Sequence, residues 1–130
     1  MTGKTVFWGS IIAALAVAFG AFGSHVLKGR LEPNAIATFQ TAVQYQMYHA
    51  LALVCLGIYN RMKPNKRIDN AIFAMYLGIG LFSGSLYVMT LSHFIRLDLK
   101  WLGAITPLGG ISFIIGWLQL AWATQLSSKK

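Results

Sequence analysis

The stretch TVFWGSIIAALAVAFGAFGSHVL, residues 5–27, contains no Lys, Arg, Asp or Glu. A helix crossing the hydrocarbon core of a bilayer needs about 20 predominantly apolar residues, and this run supplies them. Working outward, three more runs read the same way: residues 35–60, 70–94 and 107–126, each free of formal charge. Every charged residue falls between these runs or at the chain ends. Four crossings use about 80 residues and leave about 50 for connections and ends, which fits a chain of 130. The composition agrees: 56% hydrophobic, 11% charged, mean hydropathy +0.59, against about 25% charged in an ordinary soluble domain. Disorder needs low hydrophobicity, and barrel strands need alternation in segments of about ten residues; neither pattern is present. The reading is all-α: an integral membrane antiparallel four-helix bundle, residues 1–130 forming a single four-span domain.

Local chemistry explains the breaks. Glu32-Pro33-Asn34 suits a helix start, because proline at the first helical position lacks only an amide hydrogen that would be unpaired anyway. Lys63-Pro64-Asn65 is a turn signal in a basic loop. Thr106-Pro107 reads as an N-cap followed by proline, and the segment before it, residues 101–105, as interfacial. The first run exceeds the 7–15 apolar residues of a signal peptide core, so a retained span is expected.

Orientation follows the distribution of Lys and Arg in short loops. With four spans, Lys4, Arg61, Lys63, Lys66, Arg67, Lys129 and Lys130 share one side, and Lys28, Arg30, Arg96 and Lys100 the other. The larger set marks the cytoplasm, so both termini are expected there, in a bacterial inner membrane. Trp8, Tyr59 and Trp122 fall near the first boundary and Trp101 near the other, where amphipathic rings prefer to lie. The net charge of +8 therefore requires no nucleic acid. The cluster Arg61, Lys63, Lys66 and Arg67 is a topology signal that can also touch anionic headgroups. Membrane lipids are the expected surroundings, with a second copy or another membrane protein as further possible partners.

Helices in lipid associate where small residues let backbones approach and where polar groups pair. Each span carries such a stripe at helical spacing: Gly9, Ala13, Ala16, Gly20 and Gly23; Thr38, Thr41, Ala42, Tyr45, His49 and Ala52; Tyr76, Gly80, Ser83, Gly84 and Tyr87; Gly109, Ser112, Gly116 and Ala123. Gly80 and Gly84 form a GxxxG pair, a spacing expected at a helix contact.

The second span is the unusual one. Gln40, Thr41, Gln44, Tyr45, Gln46, Tyr48 and His49 crowd hydrogen-bonding groups into one membrane helix. If the hydrocarbon begins near Thr41, His49 lies about 12 Å deeper at 1.5 Å per residue, near the midplane. An ionisable residue there is by default a functional candidate with a partner. The competing reading is structural: a neutral imidazole bridging a Tyr hydroxyl and a Gln amide and locking helices together. The candidate ligand- or proton-binding residues are Tyr45, Gln46, Tyr48, His49, Ser83 and Tyr87.

His25 and His93 close the first and third spans. They are weak metal candidates; interfacial histidines are the plainer reading, and no metal is expected. The single cysteine, Cys55, permits no internal disulfide and reads as packing. No nucleotide loop, HExxH, G-x-S-x-G or CxxC occurs, and no span contains Asp or Glu, so paired-carboxylate chemistry is absent. No catalytic residue is assigned and no cofactor is expected.

Several runs resemble one known family: Gly20-Ala21-Phe22-Gly23-Ser24-His25 with Leu27-Lys28; Thr41-Ala42-Val43 with residues 45–52; residues 81–87; Thr106-Pro107-Leu108-Gly109-Gly110 with Gly116-Trp117. Together they resemble the small bacterial inner-membrane proteins of the YgdD and YwdK type, a domain of unknown function with small eukaryotic transmembrane relatives. The likeness covers nearly the whole chain, in order. It departs at Ser24, where alanine is expected. The resemblance implies a four-span inner-membrane protein and supplies no catalytic residues. Three readings of function stay open: a non-enzymatic accessory, scaffold or lipid-interacting bundle; a small transporter or proton-handling protein with a midplane site; and a quinone-, haem- or lipid-binding protein with His49 as ligand or donor.

Overall fold

A computed structural model describes residues 2–128, and the side chains of 3–125; Lys129 and Lys130 lie outside the described residues. Helix α1 runs over Thr2–Phe22 and ends in a π-helical turn, Gly23–Leu27. Helix α2 spans Pro33–Met62. Helix α3 spans Lys66–Ile95, with a π-helical turn at Ile79–Ser83. A short 3-10 turn, Lys100–Ala104, precedes α4, Thr106–Ser128. No strand occurs among the described residues. The four apolar runs are four helices, so the all-α bundle stands.

The local signals act largely as their chemistry dictates. Pro33 opens α2. Asn65 caps α3, its side-chain oxygen accepting from Arg67 N–H at 2.9 Å. Asn60, buried at the end of α2, donates to Asp69 at 2.7 Å and accepts from Asn65 N–H at 2.9 Å, so one amide knits the α2–α3 turn. Thr106 differs from expectation. Its hydroxyl meets Ser85 Oγ at 2.6 Å, a tie to α3 instead of a cap. The segment before it is also more than interfacial, because Leu102 is buried.

Helices consecutive in the chain run antiparallel. Along α1 and α2, Gly57 faces Val6, Gly9 faces Leu53 and Val54, Gly20 faces Val43, and Gly23 faces Phe39. Along α3 and α4, Gly116 faces Met75, Gly78 faces Phe113, and Gly109 faces Phe82. α1 reaches α3 through a hydrogen bond between Thr5 and Tyr76 and an edge contact of Phe19 with Tyr87. α4 reaches α2 through Phe113 and Trp117. The cross-section is thus a diamond, with α2 and α3 as the shared central pair and α1 and α4 resting against it.

Small-residue stripes explain most of these contacts. Gly9, Ala16 and Gly23 on α1 and Gly109, Ser112, Gly116 and Ala123 on α4 are buried as expected. The GxxxG pair on α3 is not a contact. Gly80 is exposed with open space where a Cβ would stand, and only a backbone oxygen at 4.0 Å approaches the same point at Gly84. The π turn explains this: Gly84 N–H bonds to Ile79 O, five residues back, so the helix carries one extra residue there and its faces shift. Gly78 takes the close-contact role against Phe113.

Most of the outer surface is apolar. Val17, Phe73 and Ile114 are 60–62% exposed, beside many other large hydrophobic side chains, far more than a soluble monomer leaves uncovered. α1, α3 and α4 are long and apolar enough to cross a bilayer. α2 is equally long but carries too many amides, hydroxyls and rings to meet that measure by composition.

Candidate functional site

Gln46 sits midway along α2 and is buried. Its amide nitrogen donates to Ile12 O of α1 at 2.8 Å. Its oxygen accepts from the Tyr87 hydroxyl of α3 at 2.5 Å. A helical side chain leans toward its own N-terminus, which lets Tyr87 reach back along α3 to this amide. One glutamine therefore ties three helices. Ser83 adds a second tie, donating to Ala42 O at 2.8 Å, and Ser112 ties α4 to α3 by donating to Ala74 O at 2.8 Å.

His49 lies about one turn further along α2 and is buried. Trp117 Nε1 approaches its Nε2 at 3.2 Å. An indole N–H can only donate, so Nε2 carries the lone pair. The proton then sits on Nδ1, which donates to Tyr45 O at 2.7 Å. Both ring nitrogens are used and the imidazole is neutral. Its face stacks on Phe113 at 3.4 Å between ring centres. The expected bridge from His49 to a Tyr hydroxyl and a Gln amide does not form, because Tyr87 and Gln46 take each other.

Of the sequence candidates, Gln46, His49, Ser83 and Tyr87 come together in the interior. Tyr45 lies at the edge, its ring stacked on Phe82 at 4.4 Å. Tyr48 points outward, 57% exposed. Trp117 was missing from the set. The signal for it was present: a tryptophan deep in an apolar run needs an acceptor for its N–H, and His49 has one.

At the end where α2 meets α3, Arg61, Lys63 and Lys66 are exposed, and the Arg67 guanidinium lies 6.0 Å from the centre of the Trp122 ring. Cys55 is exposed, on a groove of about 440 Å³ between α2 and α4 lined by Leu51, Tyr59 and Leu120 among others; it is not a packing residue. His25 and His93 are exposed near the ends of α1 and α3. No group of three or more His, Cys, Asp or Glu gathers among the described residues. Gln119 Oε1 on α4 is buried without a hydrogen-bond partner among the described residues.

A family model described as "Protein of unknown function (DUF423)" matches residues 19–110. The chain belongs to this family. It is 40% identical over 119 residues to the UPF0382 membrane protein YwdK of Bacillus subtilis, covering 91% of this chain and 93% of that one. The UPF0382 membrane protein SAB0533 of Staphylococcus aureus is likewise 40% identical, over 92% of this chain and 93% of its own. SH2409 of Staphylococcus haemolyticus is 38% identical with the same coverage. No solved structure matches the chain. The chain is thus a member of an uncharacterised family of bacterial membrane proteins.

The segments that carry the resemblance are contact points. Gly23 lies in the π turn of α1 against the Phe39 ring, where a Cβ would come within 2.6 Å of it. Residues 81–87 include Ser83 and Tyr87, which tie α3 to α2. Gly109 lets α4 meet the α3 backbone at Phe82, and Trp117 holds His49.

Proposed function

We propose that this DUF423 member is a non-enzymatic, four-span bundle of the bacterial inner membrane, working as an accessory or scaffold component in contact with lipid. The observation that carries this reading is the pairing of the polar groups clustered around Gln46 and His49. Gln46, Tyr87, Ser83, His49 and Trp117 spend their hydrogen-bonding capacity on one another and on backbone carbonyls. A transport or proton-relay site needs groups free to exchange partners; a fully paired network rigidifies instead.

The four-span topology is argued from packing. α2 lies antiparallel along α1 from Gly57 to Phe39 and joins the crossing helices α1 and α3, so it crosses with them. Its inward polar groups are satisfied by neighbours, as hydrocarbon requires. The basic turn with Arg61, Lys63, Lys66 and Arg67 supports a cytoplasmic position for that end, and so for both termini. Arg67 over Trp122 suits a headgroup boundary.

The test is reconstitution. Vesicles holding the purified protein and an internal pH-sensitive dye are given a proton gradient. Decay at the rate of protein-free vesicles is expected, for the wild type and for His49→Gln. A faster decay that His49→Gln abolishes would overturn this reading in favour of proton handling. A visible absorption band in protein purified in mild detergent would overturn it in favour of haem binding.

A further inference from the structure

The outward face of α2 is polar in its first half, where a lipid-facing helix should be apolar, while Leu51 and Ile58 further along are exposed and apolar. Gln40, Gln44 and Tyr48 stand at i, i+4 and i+8, one continuous ridge, and all three are exposed. Neither amide nor the Tyr48 hydroxyl has a hydrogen-bond partner among the described residues; Tyr48 makes only a ring contact with Tyr45. α2 is 30 residues long, about 45 Å at 1.5 Å per residue, centred between Met47 and Tyr48. Tyr48 is therefore at mid-depth, and Gln44 and Gln40 lie about 5 and 11 Å from the centre, all within a hydrocarbon core of about 30 Å. Lipid tails offer them no partner, and unsatisfied polar groups there are costly.

We infer that this ridge is the contact between two copies of the chain, with α2 packed beside α2 of its partner about a two-fold axis along the membrane normal. Such an axis sets each residue against its own counterpart at the same depth. A glutamine amide both donates and accepts, so Gln44 can satisfy Gln44 of a second copy, and Gln40 likewise. A tyrosine hydroxyl has the same dual character. The ridge carries no charge to oppose its copy. A groove of about 330 Å³ beside Gln40 and Gln44, walled on α1 by Gly20, Gly23 and Ser24, leaves room for the partner's side chains. This also accounts for α2 being the one helix too polar to qualify as a span on composition: a helix flanked by protein on both faces need not be greasy.

The inference rests on α2 crossing the membrane, and the test separates the two. In a Cys55→Ser chain, Gln44→Cys is introduced and membranes are treated with a mild oxidant. A disulfide-linked band at twice the chain mass is expected, with none from Ile114→Cys, a lipid-facing control on α4. Reaction of Gln44→Cys with an impermeant maleimide in sealed vesicles would overturn the four-span reading itself. Shielding from maleimide without a cross-link would leave that reading intact and overturn the dimer. A cross-linked band at another mass would overturn it in favour of a different membrane protein. Gln40→Leu, Gln44→Leu and Tyr48→Phe combined keep side-chain bulk on a face outside the bundle. This variant should stay folded and lose most of its dimer fraction in single-molecule photobleaching of dilute proteoliposomes; an unchanged fraction would overturn the inference.

Discussion

At the residue scale, the pair Trp117 and His49 shows what the sequence hides. Polar side chains inside apolar runs are conspicuous, so Gln46, His49, Ser83 and Tyr87 are legible in the sequence. Their grouping was legible because three- and four-residue spacing brings side chains onto one face. Which face turns inward was not legible in α2, where polar residues wrap most of the circumference; Tyr48 shares the density and points outward. Trp117 escaped because tryptophan in a membrane helix is ordinarily read as an interfacial anchor. Its replacement by Phe keeps the ring and removes the donor to His49. Loss of about 0.6 kcal/mol is expected, the average for an interhelical hydrogen bond in a membrane, read as a lowered midpoint of unfolding in mixed micelles. Gln46→Leu should cost more, because it strands the Tyr87 hydroxyl and frees α1 at Ile12. An equal or smaller loss would show the three-helix tie to be unimportant.

At the element scale, the four helices were legible almost to their ends, since charge and proline mark the boundaries. The small-residue stripes of α1 and α4 were also legible. The stripe of α3 departs from its sequence spacing at Gly80 and Gly84, because the π turn at Ile79–Ser83 interrupts the regular helical period. A contrast follows between two glycines. Gly109→Ala sets a methyl against the Phe82 backbone and should destabilise by about 1–3 kcal/mol, as overpacking does. Gly80→Ala meets open space and should be neutral or slightly stabilising. Thermal aggregation of the two variants in detergent gives the comparison. The α2–α3 turn offers another case. Asn60→Ala removes the partner of both Asp69 and Asn65 N–H and should cost about 1–3 kcal/mol for the groups left unsatisfied. A change below that range would mean water replaces the amide.

At the scale of the whole molecule, the diamond cross-section was not legible. Stripes say that helices touch, yet they do not say which pair is central. α2 takes that role through Gln46, which bonds α1 at Ile12 and α3 at Tyr87, and α3 through Ser83 bonding α2 and Ala74 O accepting from Ser112 of α4. The topology is open to a direct check. Single cysteines at Lys28 and Arg96, in a Cys55→Ser chain, should react with an impermeant reagent added outside intact spheroplasts, and one at Lys66 only after lysis; the reverse pattern would invert the orientation. One feature of α3 also bears on how the gene can change. An α-helix turns about 100° per residue, so losing a residue ordinarily rotates everything downstream off its partners. The π turn at Ile79–Ser83 already holds one residue of slack, and a Cβ at Gly80 within it would meet open space. Deleting Gly80 should therefore relax the turn to a regular helix with Ser83 and Tyr87 still facing α2, whereas deleting Ile72 should scramble the bundle. Single-codon loss at this one place is a step such a lineage can take without unfolding.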